Sequence, residues 1–175
     1  MTQTKPAAHE ATGTVAAPRQ VSAPGADSMA LRIAAELPYL RRYARALTGN
    51  QTTGDRYAAA TLEALVDDPS LLDGADDPRI ALFAAFHAVW SSSGAPVAGI
   101  DADTGLEARA QAHLARLTPN TREALLLRTI EEFDNTSIGR IMGIGSAEAE
   151  DLVAIAYCEM EATIRGKVMV IEDEP

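Results

Sequence analysis

The fold is decided by residues 117–165, LTPNTREALLLRTIEEFDNTSIGRIMGIGSAEAEDLVAIAYCEMEATIR, which read as three consecutive helices. Thr118 is suited to cap the first helix, with Pro119 at its first position. Gly143 can end the short second helix in the left-handed conformation, and Ser146 can cap the third. This order predicts a helix-turn-helix whose third helix stands where a DNA-binding domain carries its recognition helix.

The charge of that third helix argues against DNA binding. From Ser146 to Arg165 it carries five acidic residues and one basic residue, Arg165. The acidic residues are Glu148, Glu150, Asp151, Glu159 and Glu161. Groove binding needs cations that neutralise phosphates and donors that reach base edges. The first three carboxylates stabilise the helix dipole, but they also repel DNA.

Residues 115–161 resemble region 4 of the extracytoplasmic-function sigma factors, in which a similar turn leads into the promoter-reading helix. Here the reading positions are occupied by Ala147, Glu148, Ala149, Glu150 and Asp151. A sigma fold without its DNA face resembles the output domain of the PhyR family of general stress response regulators. This resemblance implies a domain that mimics a sigma factor and binds the small anti-sigma protein NepR.

Length and composition are typical of a soluble cytoplasmic protein with one or two small helical modules. The chain has 175 residues, 47% of them hydrophobic, and a formal net charge of −10. Such an acidic balance argues against a nonspecific nucleic-acid or anionic-membrane surface. The single cysteine, Cys158, excludes an intrachain disulfide and fits a reducing compartment. No apolar run approaches the roughly 18 residues of a membrane span.

Residues 1–28 are rich in Ala, Pro and Thr without periodicity, so they are predicted to be a disordered extension. Residues 29–95 are predicted to form a first helical module. Its first helix has Pro38 suited to a first turn, and its basic side is interpreted as a solvated face with Arg41, Arg42 and Arg45.

Two further helices complete the first module. Asp55 is predicted to cap one of them, which ends at Asp67, Asp68 and Pro69. Asp77 and Pro78 start the next, whose apolar side holds Ile80, Phe83, Phe86 and Trp90. This module resembles sigma region 2, but Ala58, Ala59 and Ala60 stand at the middle of the expected promoter-melting helix. The aromatic and basic residues that capture single strands are missing there.

Residues 96–105 are predicted to be a linker, and residues 106–165 to be the second, region 4-like module. Thr104 and Glu107 have the spacing of a capping box at the start of that module. A flexible linker would let the two modules present one composite groove for a partner helix. Candidate partner contacts, each also plausible as a core residue, are Leu62, Leu65, Val66, Ile138, Ile141 and Met142.

Residues 166–175, GKVMVIEDEP, change the pattern from helical to a predicted short strand, Val168 to Ile171. This segment resembles the first strand of a receiver domain. The resemblance implies that Glu172 and Asp173 would hold Mg²⁺ in an intact receiver, beside a phosphoacceptor aspartate that this chain lacks.

Three classes of function are therefore compared. The first is an anti-anti-sigma protein that sequesters a NepR-type factor; the second is a DNA-binding sigma factor; the third is an enzyme. Catalysis is disfavoured because no constellation of His, Cys, Ser and acid recurs at usable spacing. Between the other two, charge favours the first, since Thr118 to Arg165 carries nine acidic and four basic residues, a net of −5.

Overall fold

The computed structural model describes the backbone of residues 24–72, 77–96 and 105–171. It describes the side chains within 29–72, 77–96 and 105–162, apart from Glu107. These residues form helices and no strands, as the all-α prediction requires. The helices are α1 (Pro24–Thr48), α2 (Gln51–Asp67), α3 (Pro78–Ser92), α4 (Leu106–Leu114), α5 (Pro119–Thr129), α6 (Asn135–Met142) and α7 (Ser146–Ile171), with a short 3-10 helix at Pro69–Leu72.

Local capping sets most of the helix boundaries. The side chains of Asp77 and Thr118 accept backbone hydrogen bonds at the starts of α3 and α5, each followed by a proline. Asp134 caps α6 in the same way, and Gly143 closes that helix with φ of 68°. The helix-turn-helix predicted from residues 117–165 is thus confirmed.

Two predicted helix starts are wrong. Helix α2 begins four residues before Asp55, because the Asn50 side chain accepts from the Thr53 N–H. Helix α4 begins after Gly105, whose φ is 102°, without a side-chain cap. Thr104, the predicted capping residue, lies outside the described residues.

Helix α1 begins earlier than expected from Pro38. It begins at Pro24, inside the segment predicted to be disordered, and it continues through Pro38. A proline inside a helix deprives the carbonyl four residues earlier of its donor. Here Pro38 and Ala34 are both exposed, so water can satisfy that carbonyl.

The predicted strand at Val168 to Ile171 is also wrong. These residues are the last turn of α7, which runs unbroken from Ser146 to Ile171. A lone strand leaves its backbone groups unpaired, and the described residues contain no other strand to pair with. Continuing an existing helix adds one hydrogen bond for each residue fixed, so the helix is the favoured state.

The two sequence modules share one hydrophobic core, whose centre is α3. Side chains from several sides of this helix are buried, including Leu82, Phe83, Ala85, Phe86 and Trp90. Helices α1 and α2 cover α3 on one side, and α6 packs on it from the second module. An apolar helix must be covered on all sides, so the modules cannot both be stable apart from each other.

Aromatic rings carry the contact between the modules. Phe83 on α3 meets Phe133, between α5 and α6, edge to face with ring centroids 5.2 Å apart. Tyr43 on α1 packs against Phe83 and Phe86 at 5.3 and 5.5 Å. The predicted linker therefore joins two modules that are packed together, and the core runs through both.

A glycine fixes the close crossing of α1 and α2. A Cβ at Gly54 would lie 2.6 Å from the Arg45 backbone nitrogen and 2.7 Å from its Cα. Gly54→Ala should lower the free energy of unfolding by about 1–3 kcal/mol, because backbone atoms must move apart. Chemical denaturation measures this change.

Gly145→Ala is the matched control, because nothing lies within 4 Å of a Cβ at that position. Its effect should stay within about 0.5 kcal/mol. Equal stability of both variants would show that α1 and α2 do not need to approach so closely.

Candidate functional site

A buried carboxylate joins the two modules. Glu131 follows α5, and its side chain is 0% exposed. Arg42 on α1 donates to its Oε1 at 2.9 Å, and Arg79 on α3 donates to its Oε2 at 2.9 Å. The same arginines donate to the backbone carbonyls of Ile130 and Glu131 at 3.0 Å. We call this group, Arg42, Arg79 and Glu131, the inter-module clamp.

Arg79 is held on further sides. Its guanidinium carbon lies 4.4 Å from the centre of the Phe133 ring, a cation–π contact. It is also 3.2 Å from the Glu36 carboxylate on α1. A guanidinium stacked on an aromatic face and bonded to two carboxylates has little freedom, so the clamp fixes α1, α3 and the α5 to α6 turn relative to one another.

A second polar cluster crosses the same interface. Glu123 on α5 is buried, and its Oε1 lies 2.9 Å from His87 Nδ1 on α3. The Tyr43 hydroxyl donates to the same oxygen at 3.4 Å. The hydrogen bond to Glu123 raises the pKa of His87, although burial opposes it. Burial, followed by the Glu123 charge, raises the pKa of Tyr43 well above its usual range.

Arg122 ties the chain together beside this cluster. Its guanidinium donates to the carbonyls of Leu114 at 2.7 Å, Leu117 at 3.3 Å and Leu47 at 3.5 Å. These carbonyls lie at or just after the ends of α4 and α1, where helices lack internal donors. Burial lowers the pKa of Arg122. The second module is thus bonded to the end of α1.

The start of α7 presents the acidic residues that the sequence places at the DNA-reading positions. Glu148, Glu150 and Asp151 are all exposed, whereas Ala149 is buried against the core. Carboxylates repel phosphates, so these three residues do not favour the phosphate contacts on which DNA affinity rests. Their role as a degenerate reading helix stays a prediction.

A shallow, open groove lies along α2. It has a volume of about 440 Å³ and is lined by Leu62, Glu63, Val66 and Asp67. Val66 is 77% exposed and Leu62 is half-buried. The groove thus places an exposed valine beside a half-buried leucine, with the carboxylates of Glu63 and Asp67 next to them.

The other predicted partner residues lie in the core. Leu65 is 7% exposed, and Ile138, Ile141 and Met142 are also buried. Their helical spacing suits a groove and a core equally well, because both need an apolar stripe. Their contact with a partner stays a prediction, whereas the structure shows that they pack in the core.

Glu172 and Asp173, the predicted magnesium ligands, lie outside the described residues.

Arg41 and Arg42 are exposed and Arg45 is half-buried, as the interpretation of a solvated face expects, and all three head groups also pair with carboxylates. Arg45 and Arg41 both bind Asp55 on α2, at 2.7 and 3.1 Å. Hydrogen bonds from Arg45 and then Arg41 hold the pKa of Asp55 well below its usual range. Arg42 belongs to the clamp. The charge pattern of the sequence could not reveal these ion pairs, because the partner carboxylates are distant in sequence.

Sequence reasoning also missed Glu123 and Glu131. Glu123 stands inside a helix whose neighbours are buried, and Glu131 precedes a buried phenylalanine. The sequence signal that could have found them is a carboxylate within an apolar stripe, since a buried charge needs a partner.

Over the described residues, no three His, Cys, Asp or Glu side chains are grouped to hold a metal ion. None of the helices described is both long and apolar enough to cross a membrane.

Two family models match the chain, one in each module. The Sigma2 domain of PhyR matches residues 33–87. The sigma-like domain of the response regulator PhyR matches residues 114–163. The chain is also 39% identical over 148 residues to the phyllosphere-induced regulator PhyR of Methylorubrum extorquens. That match covers 85% of this chain and 55% of the relative, so the chain spans about half of the relative's length.

Solved structures show the same relationship. The PhyR sigma-like domain of Sphingomonas sp. Fr1, solved by NMR in complex with NepR, is 41% identical, with a TM-score of 0.66. The match covers 77% of this chain and 87% of that one. The sigma factor RpoE of Bartonella quintana, solved with the anti-sigma factor NepR, is 17% identical, with a TM-score of 0.67 over 79% of this chain and 98% of that one. The second likeness concerns the fold alone.

The clamp generates a stability prediction. Glu131→Gln should lower the free energy of unfolding, because both arginines lose their buried counter-charge. Hydrogen bonds to charged groups contribute about 1.5–3 kcal/mol each, and the lower end applies here since both arginines keep contact with water. Urea denaturation measures the loss.

Glu132→Gln is the control, because this neighbouring carboxylate is exposed. It should change stability by less than about 0.5 kcal/mol. If Glu131→Gln were as stable as Glu132→Gln, the clamp would not hold the modules together.

Proposed function

The chain belongs to the PhyR family, and we propose that it is an anti-anti-sigma protein that sequesters a NepR-type anti-sigma factor. By occupying that factor, it would free the stress sigma factor to act. Related PhyR domains have been solved in complex with NepR. In this proposal the chain is a regulator of transcription in the cytoplasm and carries out no catalysis.

A single observation carries the proposal: a sigma-like fold that presents carboxylates where a sigma factor reads DNA. The backbone matches a genuine sigma factor closely enough to offer an anti-sigma protein a similar shape. The exposed Glu148, Glu150 and Asp151 remove the affinity for phosphates. Shape without DNA binding is what a competitor for an anti-sigma factor requires.

The groove on α2 is the proposed contact for one helix of the partner. Leu62 and Val66 offer apolar surface, and Glu63 and Asp67 line it with negative charge. The complementary segment is an amphipathic helix with apolar anchors about one turn apart and basic residues at their sides. Control by phosphorylation of a C-terminal receiver in the full-length protein, with Glu172 and Asp173 as magnesium ligands there, stays a prediction.

The competing function is a DNA-binding sigma factor. It predicts salt-sensitive, sequence-dependent binding to a stress promoter at submicromolar protein. We expect no binding to promoter DNA at physiological salt, because the reading face is acidic. Fluorescence anisotropy with a labelled promoter duplex tests this; a sequence-dependent complex would favour the competing function.

The groove is tested by substituting its most exposed residue. Val66→Glu should weaken binding to the NepR-type factor at least tenfold, corresponding to about 1.4 kcal/mol. The substitution removes apolar contact with the partner helix. Because Val66 is exposed, the new carboxylate meets no core residue, so helicity should be unchanged. Isothermal titration measures affinity, and circular dichroism checks the fold.

Leu106→Glu is the control, because Leu106 is 83% exposed on α4 and belongs to the other module. It adds the same charge at a distant apolar position and should keep wild-type affinity. Unchanged affinity of Val66→Glu would place the partner helix elsewhere on the chain.

A further inference from the structure

The cluster of Tyr43, His87 and Glu123 has a feature that packing alone does not explain. Its three side chains come from α1, α3 and α5, so the hydrogen bonds cross between the two modules. Glu123 Oε1 receives both contacts, while its Oε2 is buried without a hydrogen-bond partner within the described residues. A half-satisfied buried carboxylate is costly unless a positive charge compensates it.

The available positive charge is a protonated His87. The His87 side chain is 22% exposed, so its proton can exchange with water, whereas the Glu123 side chain is 1% exposed. The second contact, from Tyr43, is long at 3.4 Å and neutral. Whether the carboxylate is compensated therefore depends on the state of His87.

We propose that Tyr43, His87 and Glu123 form a proton-operated latch between the modules. With His87 protonated, an imidazolium and carboxylate pair holds α3 against α5. Loss of the proton leaves the buried carboxylate with neutral donors only, and the contact between the modules loosens. The latch is independent of the partner proposed above, because it is a property of the free chain.

Charged groups around the latch have partners of their own. On α1 and α3, Arg42 and Arg79 are bound to Glu131 at 2.9 Å. On α5, Arg122 is bound to backbone carbonyls. On α2, the Tyr57 hydroxyl is 2.8 Å from Ser93, and on α7, Glu159 accepts from Thr121 at 3.3 Å. Glu131 is the nearby charge that also raises the pKa of Tyr43. No histidine takes part in these contacts, so His87 is the histidine that the proposed latch depends on.

The direction of the pH effect follows from linkage. The folded chain binds the His87 proton more tightly than the unfolded chain, in which the usual value of 6.5 applies. The latch therefore contributes its full stability below about pH 6.5 and loses it as pH rises through the higher folded-state pKa. The contact between the modules should be looser on the alkaline side of this interval.

The first test is the thermal midpoint measured from about pH 5.5 to about pH 8, the range in which histidine titrates. The wild-type midpoint should fall by about 2–4 °C more than that of His87→Gln. Glu123→Gln should lose the same pH dependence. This variant replaces His87→Gln in the comparison if His87→Gln does not fold. His113→Gln, which changes the other histidine with a described side chain, should keep the wild-type profile.

The second test measures the distance between the modules directly. Spin labels on the native Cys158 of α7, which is exposed, and on an Ala59→Cys substitution in α2 report the separation. The wild-type distribution should be narrow at acidic pH and broaden toward about pH 8. In the His87→Gln background it should be equally broad at both ends of the range.

Two outcomes would overturn the latch. One is a wild-type pH profile in both His87→Gln and Glu123→Gln. The other is a stability that changes with pH while the distance distribution does not, which would make the pair a stabilising contact and not a latch.

Discussion

The fold depends on the need to cover α3 on all sides. This helix is apolar around most of its circumference, with Phe83, Phe86 and Trp90 buried among smaller residues. Within the described residues, α1, α2 and the 3-10 helix cover part of it, and α6 of the second module covers a further part. Once α3 lies at the centre, the buried charged residues beside it need partners across the interface. Glu131 pairs with Arg42 and Arg79, and Glu123 pairs with His87.

Local signals predicted the helix-turn-helix because its boundaries are set by neighbouring residues. Thr118 with Pro119, and Gly143, specify their turns within a few residues. The strand at Val168 to Ile171 was mispredicted because its apolar run fits helix and strand alike. The start of α2 was mispredicted because Asn50 and Asp55 are both good capping residues, and only the bonds from Arg41 and Arg45 show the second to be an ion-pair partner.

The partner-binding residues show a different limit of sequence reasoning. Leu62, Val66 and Ile141 share the same chemistry and the same helical spacing. The structure places Val66 at the surface and Ile141 in the core, where α6 packs against α3 of the other module. Because the two modules share one core, the linker does not join independently folded modules. It connects two parts of one packed unit, which carries the acidic face on one module and the groove on the other.

Competitive release of a sigma factor tests the proposed mimicry most directly. A fluorescently labelled stress sigma factor is bound to its NepR-type anti-sigma factor, and this chain is added in increasing amounts without DNA. The account predicts that the sigma factor is released in proportion to the added chain until one equivalent has been reached, which a fall in anisotropy would record. A sigma factor that stays bound at a large excess of this chain would contradict the account.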